Sequence, residues 1–324
     1  MNHPTDRIEY IDFAAGVMIV WLLCYHALWP MFETRVLQVI PWFFFFMPWF
    51  FYKSGYFFSP KPLRTAIKKD ARKLLRQYVI WSIIGYICYF LQLYFYDHLT
   101  FRTLLYRSLK SLFLIGAVPI NLSLWFLPIL FVVHFLVTVL CRKFDLIWIG
   151  LTCLLLSIAI HYIPYVNTIR PIYATAWGLF FFCGGAYLRK YEQNKWVIGV
   201  ATIVLLIAYI FTKTPITYDC SHEIAWYEYV YWYPASIAGC VVLNNICRWF
   251  TKLPSFLFKW VGRHAMLFFV MQGIIYVVVH DWLYHIHPEW YATWQGLVLV
   301  GIAYVVLIVP TCLIVDRIKN VKKS

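Results

Sequence analysis

The stretch Asp12-Phe13-Ala14-Ala15-Gly16-Val17-Met18-Ile19-Val20-Trp21-Leu22-Leu23-Cys24-Tyr25-His26 opens the first of many apolar runs in this chain. It starts with an acid and ends with an imidazole. At about 100° per residue, the step from Asp12 to His26 returns to within roughly 40° of one helix face. At about 1.5 Å per residue the two side chains lie roughly 21 Å apart along the axis. A titratable group inside a membrane helix is costly, so His26 is first a candidate for function. A histidine packed and hydrogen-bonded to another helix explains the same residue without chemistry.

The composition places the rest of the chain in the same class. Of 324 residues, 63% are hydrophobic and only 13% are charged. Soluble proteins carry about 25% charged residues, so these values point to a membrane protein. Aromatic residues make up 21%, which suits interfacial belts and rings packed between helices. Eight of the nine cysteines fall in or beside apolar runs, and only Cys220 sits in a polar loop. That is neither a disulfide framework nor a zinc-binding pattern. The first run is not read as a cleavable signal, because Asp6 and Glu9 precede it and no small-residue cleavage site follows.

Length and flanking charge predict an all-α, polytopic membrane bundle of about ten transmembrane helices in a single domain over 1–324. The predicted spans are 11–30, 37–58, 77–96, 122–140, 146–163, 172–188, 196–212, 226–246, 264–282 and 294–315. In the second, Pro41 and Pro48 predict a kink. Residues 103–118 are apolar but carry Arg107 and Lys110, which predicts an interfacial helix.

The net charge of +14 has a sided distribution. Of the 28 Lys and Arg residues, 21 fall in one alternate set of loops and six in the other. The positive-inside rule puts both termini in the cytoplasm. Basic residues spread over short loops also argue against nucleic acid as a partner and for membrane lipid.

The loop 59–76 is the most basic. Arg72 and Arg76 are four apart, so an α-helix puts them on one face. With Lys73 they could clamp phosphates, Arg as a planar fork and Lys as a point charge. Ordinary anchoring at lipid headgroups is the alternative. Ser54-Gly55 permits close backbone approach, for a ligand or for a neighbouring helix. Asp12 is expected to pair with a cation of the 59–76 loop, or to sit favourably at a helix N-terminus. His280, Asp281, His285, His287 and Glu289 crowd one outer stretch; a polar interfacial loop is the reading, with no metal site. Glu223 and Glu228 flank the start of the eighth span.

Several segments together resemble the integral-membrane acyltransferase family 3. They are Asp12-x-x-x-Gly16 with His26, Phe50-Phe51-Tyr52-Lys53-Ser54-Gly55-Tyr56-Phe57-Phe58, and Arg72-Lys73-Leu74-Leu75-Arg76. Leu124-Trp125-Phe126-Leu127-Pro128, the run Phe181 to Arg189, and Trp260-Val261-Gly262-Arg263-His264 continue the likeness. The resemblance implies transfer of an acyl group, often acetyl from acetyl-coenzyme A, to a hydroxyl of a surface or exported glycan or lipid-linked sugar. It implies His26 as general base, since a neutral imidazole can accept the hydroxyl proton. It further implies Arg72, Lys73, Arg76, Ser54 and Gly55 on the acyl-coenzyme A donor and Asp12 and Trp125 on substrate. A bacterial inner membrane is the implied location.

Two positions depart from the family. Ala15 stands where the family usually has Arg or Lys, and Gln272 where many members have histidine in the penultimate span. These departures leave open a non-catalytic translocator or assembly partner for glycan or lipid on the same scaffold. For the topology, single cysteines introduced near Asp219 and His285 should react with an impermeant thiol reagent from outside the cell. Those near Lys69 and Lys190 should not, and outside labelling at Lys69 overturns this orientation.

Overall fold

The computed structural model describes residues 8–27, 44–92, 101–211, 226–251 and 256–321. Pro41, Cys220 and Glu223 lie outside the described residues. Within them the regular structure is helical, with no strand. In chain order come α1 (Glu9–Ala27), α2 (Phe46–Tyr56), α3 (Leu63–Asp70), a π-turn (Ala71–Leu75) and α4 (Arg76–Gln92). Then follow α5 (Phe101–Leu114), α6 (Phe126–Leu140), α7 (Leu146–His161), α8 (Arg170–Leu188) and α9 (Lys195–Phe211). The chain closes with α10 (Trp226–Phe250), α11 (Phe256–Arg263), α12 (Ala265–Ile286) and α13 (Trp294–Val321).

Among the described residues five stretches are long and apolar enough to cross a membrane: Glu9–His26, Leu63–Leu91, Leu122–Leu140, Ala265–Ile286 and Val298–Ile318. α7 and α9 are apolar but shorter. By length and composition the described residues thus support five spans, and the ten that the sequence predicts are not all matched among them. α2 shows one reason. Its 11 residues rise only about 16 Å. Pro48 does not kink it but sits in its first turn, where a missing N–H costs no helical bond. The Trp49 amide then bonds the Phe45 carbonyl at 2.8 Å, starting the helix.

Two glycine pairs set the closest crossings. A Cβ on Gly16 would collide with the Phe258 carbonyl, and one on Gly262 with the Asp12 carbonyl. α1 and α11 therefore meet backbone to backbone. Gly55 and Gly185 repeat the arrangement, each facing a carbonyl across the α2–α8 crossing, those of Phe182 and Tyr52. Small residues drive helix association in lipid by this close approach.

Around the second crossing lies an aromatic core. The Phe51 ring stands edge-on to Phe126 at 4.8 Å and to Trp177 at 5.0 Å. Trp232 and Tyr233 of α10 extend it against Phe181. Each such pair adds about 0.5–1.5 kcal/mol beyond its buried area.

The outer faces are apolar. α5 buries Ser108 and Ser111 and exposes Phe101, Leu105, Tyr106, Leu109 and Phe113. α9 exposes Val200, Ile203, Leu206, Ile207 and Ile210. Broad apolar exposure of this kind marks a membrane-facing surface.

Gly185→Ala should force the α2–α8 crossing apart and cost about 1–3 kcal/mol, as overpacking does. Gly199→Ala in α9 is the control, because its added Cβ meets nothing within 4 Å. Thermal unfolding in detergent should show a lowered midpoint for the first and a change under about 1 kcal/mol for the second. Equal midpoints would remove the crossing from the account.

Candidate active site

α1 and α12 run side by side in the same direction, so the bundle has a basic end near Asp12 and Arg263 and a far end near His26. At the basic end, α3 and the π-turn carry two adjoining rows at four-residue steps: Arg64, Lys68, Arg72 and Thr65, Lys69, Lys73. These six residues, all exposed, line an open groove along the outer face of this helical stretch. Five cations around one groove repel each other and favour a polyanion. Asp70 ties the groove to α6 through His134, Oδ2 to Nδ1 at 3.4 Å. The His134 ring packs edge-on to Phe182 at 4.8 Å.

The π-turn changes the spacing expected from the sequence. Its i→i+5 bonding widens the turn, and the Arg76 amide bonds the Ala71 carbonyl. A four-residue step no longer closes a full turn. Arg72 and Lys73 join the groove, whereas Arg76, at the start of α4, is exposed outside its lining. Gly55 is taken up by the crossing with α8, and Ser54 beside it is half-buried.

Asp12 sits in the first turn of α1, the helix N-terminus that the sequence offered as one of its two places, and its ion pair among the described residues is with α11 rather than with the 59–76 segment. Its Oδ2 lies 3.7 Å from Arg263 Nε, because the Gly16–Gly262 crossing brings α11 onto α1. Lys259 and Glu9 add a second link at 2.8 Å.

A buried polar network at this end escaped the sequence reading. Glu192, fully buried in the turn between α8 and α9, accepts on Oε1 from Tyr52 Oη at 3.1 Å and Asn244 Nδ2 at 2.7 Å. Trp49 Nε1 donates to Asn244 Oδ1 at 2.8 Å, and Asn245 Nδ2 to the Glu192 carbonyl at 2.9 Å. Arg248 Nη2 stands 3.8 Å from Oε2, with its guanidinium over the Tyr10 ring at 4.2 Å. Burial pushes the Glu192 carboxyl above its usual range; the Asn244 and Tyr52 hydrogen bonds and the Arg248 charge oppose it. The paired Asn244-Asn245 inside an apolar helix was the available signal.

His26 lies at the far end of α1, half-buried, its ring 5.9 Å from that of Tyr276. Tyr276 in turn packs on His280 at 4.1 Å. Gln272, Tyr276 and His280 are spaced four apart, so they share a face of α12. Gln272 is fully buried. Ala15 is also fully buried, within the apolar core and far below His26. Trp125 is buried at the head of α6, with the Arg170 guanidinium over its ring at 5.4 Å and Trp177 at 6.3 Å. The structure thus brings His26 and the α12 face together at one end and Arg72 with Lys73 at the other. Trp125 packs with Arg170, and Asp12 with Arg263.

His287 Nδ1 is 2.9 Å from Glu289 Oε1, and its ring stacks on Trp290. His285 belongs to the last turn of α12 rather than to a loop. Among the described residues no group of three or more His, Cys, Asp or Glu side chains could hold a metal ion.

A family model described as an acyltransferase domain matches residues 8–317, nearly the whole chain. No curated protein and no solved structure matches it significantly.

A raised Glu192 means the folded state holds this proton more tightly than the unfolded chain. Stability from this group is therefore full below the ordinary glutamate value and is lost as pH rises through the raised one. Unfolding midpoints in detergent should fall across that window, and Glu192→Gln, which keeps an acceptor at Oε1, should flatten the fall. A Glu192→Gln profile parallel to wild type would contradict this.

Proposed function

The chain belongs to acyltransferase family 3, and from that premise we propose a membrane acyltransferase that moves an acyl group, acetyl foremost, from acyl-coenzyme A to a glycan hydroxyl. The acceptor is a cell-surface or exported glycan, or a lipid-linked sugar. The observation that carries the reading is the separation of two chemistries along one bundle. A groove with five cations occupies the basic end, and an imidazole beside Tyr276 occupies the far end.

In this reading the basic end faces the cytoplasm of a bacterial inner membrane, with both termini. Arg72 and Lys73 hold the donor's phosphates together with Arg64, Lys68 and Lys69, while Arg76 stands outside the groove at the start of α4. Ser54, half-buried at the end of α2, lies on the donor's way into the bundle. The acyl thioester extends from there toward His26. His26 takes the proton of the acceptor hydroxyl as that oxygen attacks the acyl carbon. Trp125, stiffened by Arg170, offers an aromatic edge at the far side. Asp12, paired with Arg263 at the base of α1, stands at the end of the bundle where the donor substrate enters. One observation favours a non-catalytic translocator instead: the family cation is replaced by Ala15, whose site is filled by core packing.

His26→Ala removes the base, and His26→Gln keeps hydrogen bonding without useful basicity. In membranes holding equal amounts of protein, both should lose acyl transfer by about 10²–10⁴-fold. A Gln variant with wild-type transfer would return His26 to packing and leave the translocator reading in place.

A further inference from the structure

A buried amide on α12 lies one helical turn from the residue whose ring meets His26. Gln272 is fully buried. Among the described residues neither its Nε2 nor its Oε1 has a hydrogen-bond partner. Its backbone carbonyl, by contrast, accepts from Tyr304 Oη at 3.4 Å. The helix is therefore held at this residue while the side-chain amide is left open. An unpaired buried amide is destabilising, and proteins keep such groups where they do something else.

The position fits a role in the reaction. Gln272 lies one helical turn below Tyr276, the residue whose ring meets His26. One turn is about 5.4 Å of rise toward the basic end. A thioester arriving from the basic end reaches the level of Gln272 just before that of His26. Transfer also places negative charge on the acyl oxygen, and that charge needs a donor. Ala15 cannot supply one.

We infer that Gln272 is a catalytic residue whose Nε2 donates to the acyl carbonyl oxygen during transfer. The inference rests on the acyltransferase reading. The acceptor oxygen bonds to the acyl carbon, and its proton passes to His26. The carbonyl oxygen takes up the electron pair and is held by Gln272. As the pair returns, the carbon–sulfur bond breaks and His26 gives its proton to the departing sulfur. Next in the chain, Gly273 gives Asn121 room: a Cβ there would collide with Asn121 Oδ1. Asn121 Nδ2 donates to the Val270 carbonyl at 2.8 Å, which steadies the same turn of α12.

The test compares wild type, Gln272→Met and Gln272→His in native membrane vesicles, using acetyl-coenzyme A and reading thiol release. Thermal unfolding of each purified protein in detergent is the second readout. Met matches glutamine in length but donates nothing; His keeps an N–H. The expected result for Met is a fall in kcat of about 10²–10³-fold with KM little changed, and a higher unfolding midpoint. His should retain most of the activity. A Met variant with undiminished kcat overturns the inference. So does a Met variant that unfolds at lower temperature or fails to accumulate, since a structurally paired amide would behave that way. If wild-type vesicles release no thiol above vesicles lacking the protein, the acyltransferase reading itself falls and takes this inference with it.

Discussion

Backbone contact between helices at two glycine pairs is the constraint on which this structure depends. Gly16 with Gly262 presses α1 onto α11, and Gly55 with Gly185 presses α2 onto α8. In lipid, hydrocarbon offers no hydrophobic gain for one helix over another, so close fit has to hold the bundle. Both crossings also position charge. The first brings Arg263 to Asp12, and α12, which follows α11 directly, brings Tyr276 to His26. The second places Tyr52 against Glu192.

The two ends differ in how they treat polar groups. At the basic end they face charged or hydrogen-bonding neighbours: Glu192 bonds Tyr52 and Asn244, Asp70 pairs with His134 and Glu9 with Lys259. Asp12 Oδ2, Glu192 Oε2 and Arg248 Nη2 lie there in ion pairs rather than hydrogen bonds. The Asp70–His134 contact ties α3, which carries three of the five cations, to α6. Toward the far end, atoms on α12 are buried with no partner among the described residues: both amide atoms of Gln272 and Nε2 of His280. A polar ligand entering there would find donors and acceptors already desolvated, which strengthens each bond it makes.

Sequence periodicity and composition were enough to read the helical class, because apolar run length and Lys/Arg placement are local properties. What depended on three dimensions was not legible. The place of Asp12 in the first turn of α1 is local and was legible, whereas its pairing with Arg263 joins residues far apart in the chain and follows only from the crossing of α1 and α11. Arg76 left the groove because Ala71–Leu75 adopts a π-turn, and an α-helical four-residue step does not describe one. Pro48 looked like a kink only while the start of α2 was unknown. Glu192 sits among charged and polar neighbours at 189–195, so nothing local signalled its complete burial. His26 and the basic run at 72–76 stood out because charge inside or beside an apolar run is costly and therefore visible.

The central claim is that donor chemistry enters at the basic end and is used at the other. Its most direct measurement supplies acetyl-coenzyme A, which does not cross membranes, to right-side-out and to inverted native vesicles and follows thiol release. The account predicts release in inverted vesicles, where the groove lined by Arg64, Lys68, Lys69, Arg72 and Lys73 faces the added donor. Release in sealed right-side-out vesicles, with none in inverted ones, would contradict it.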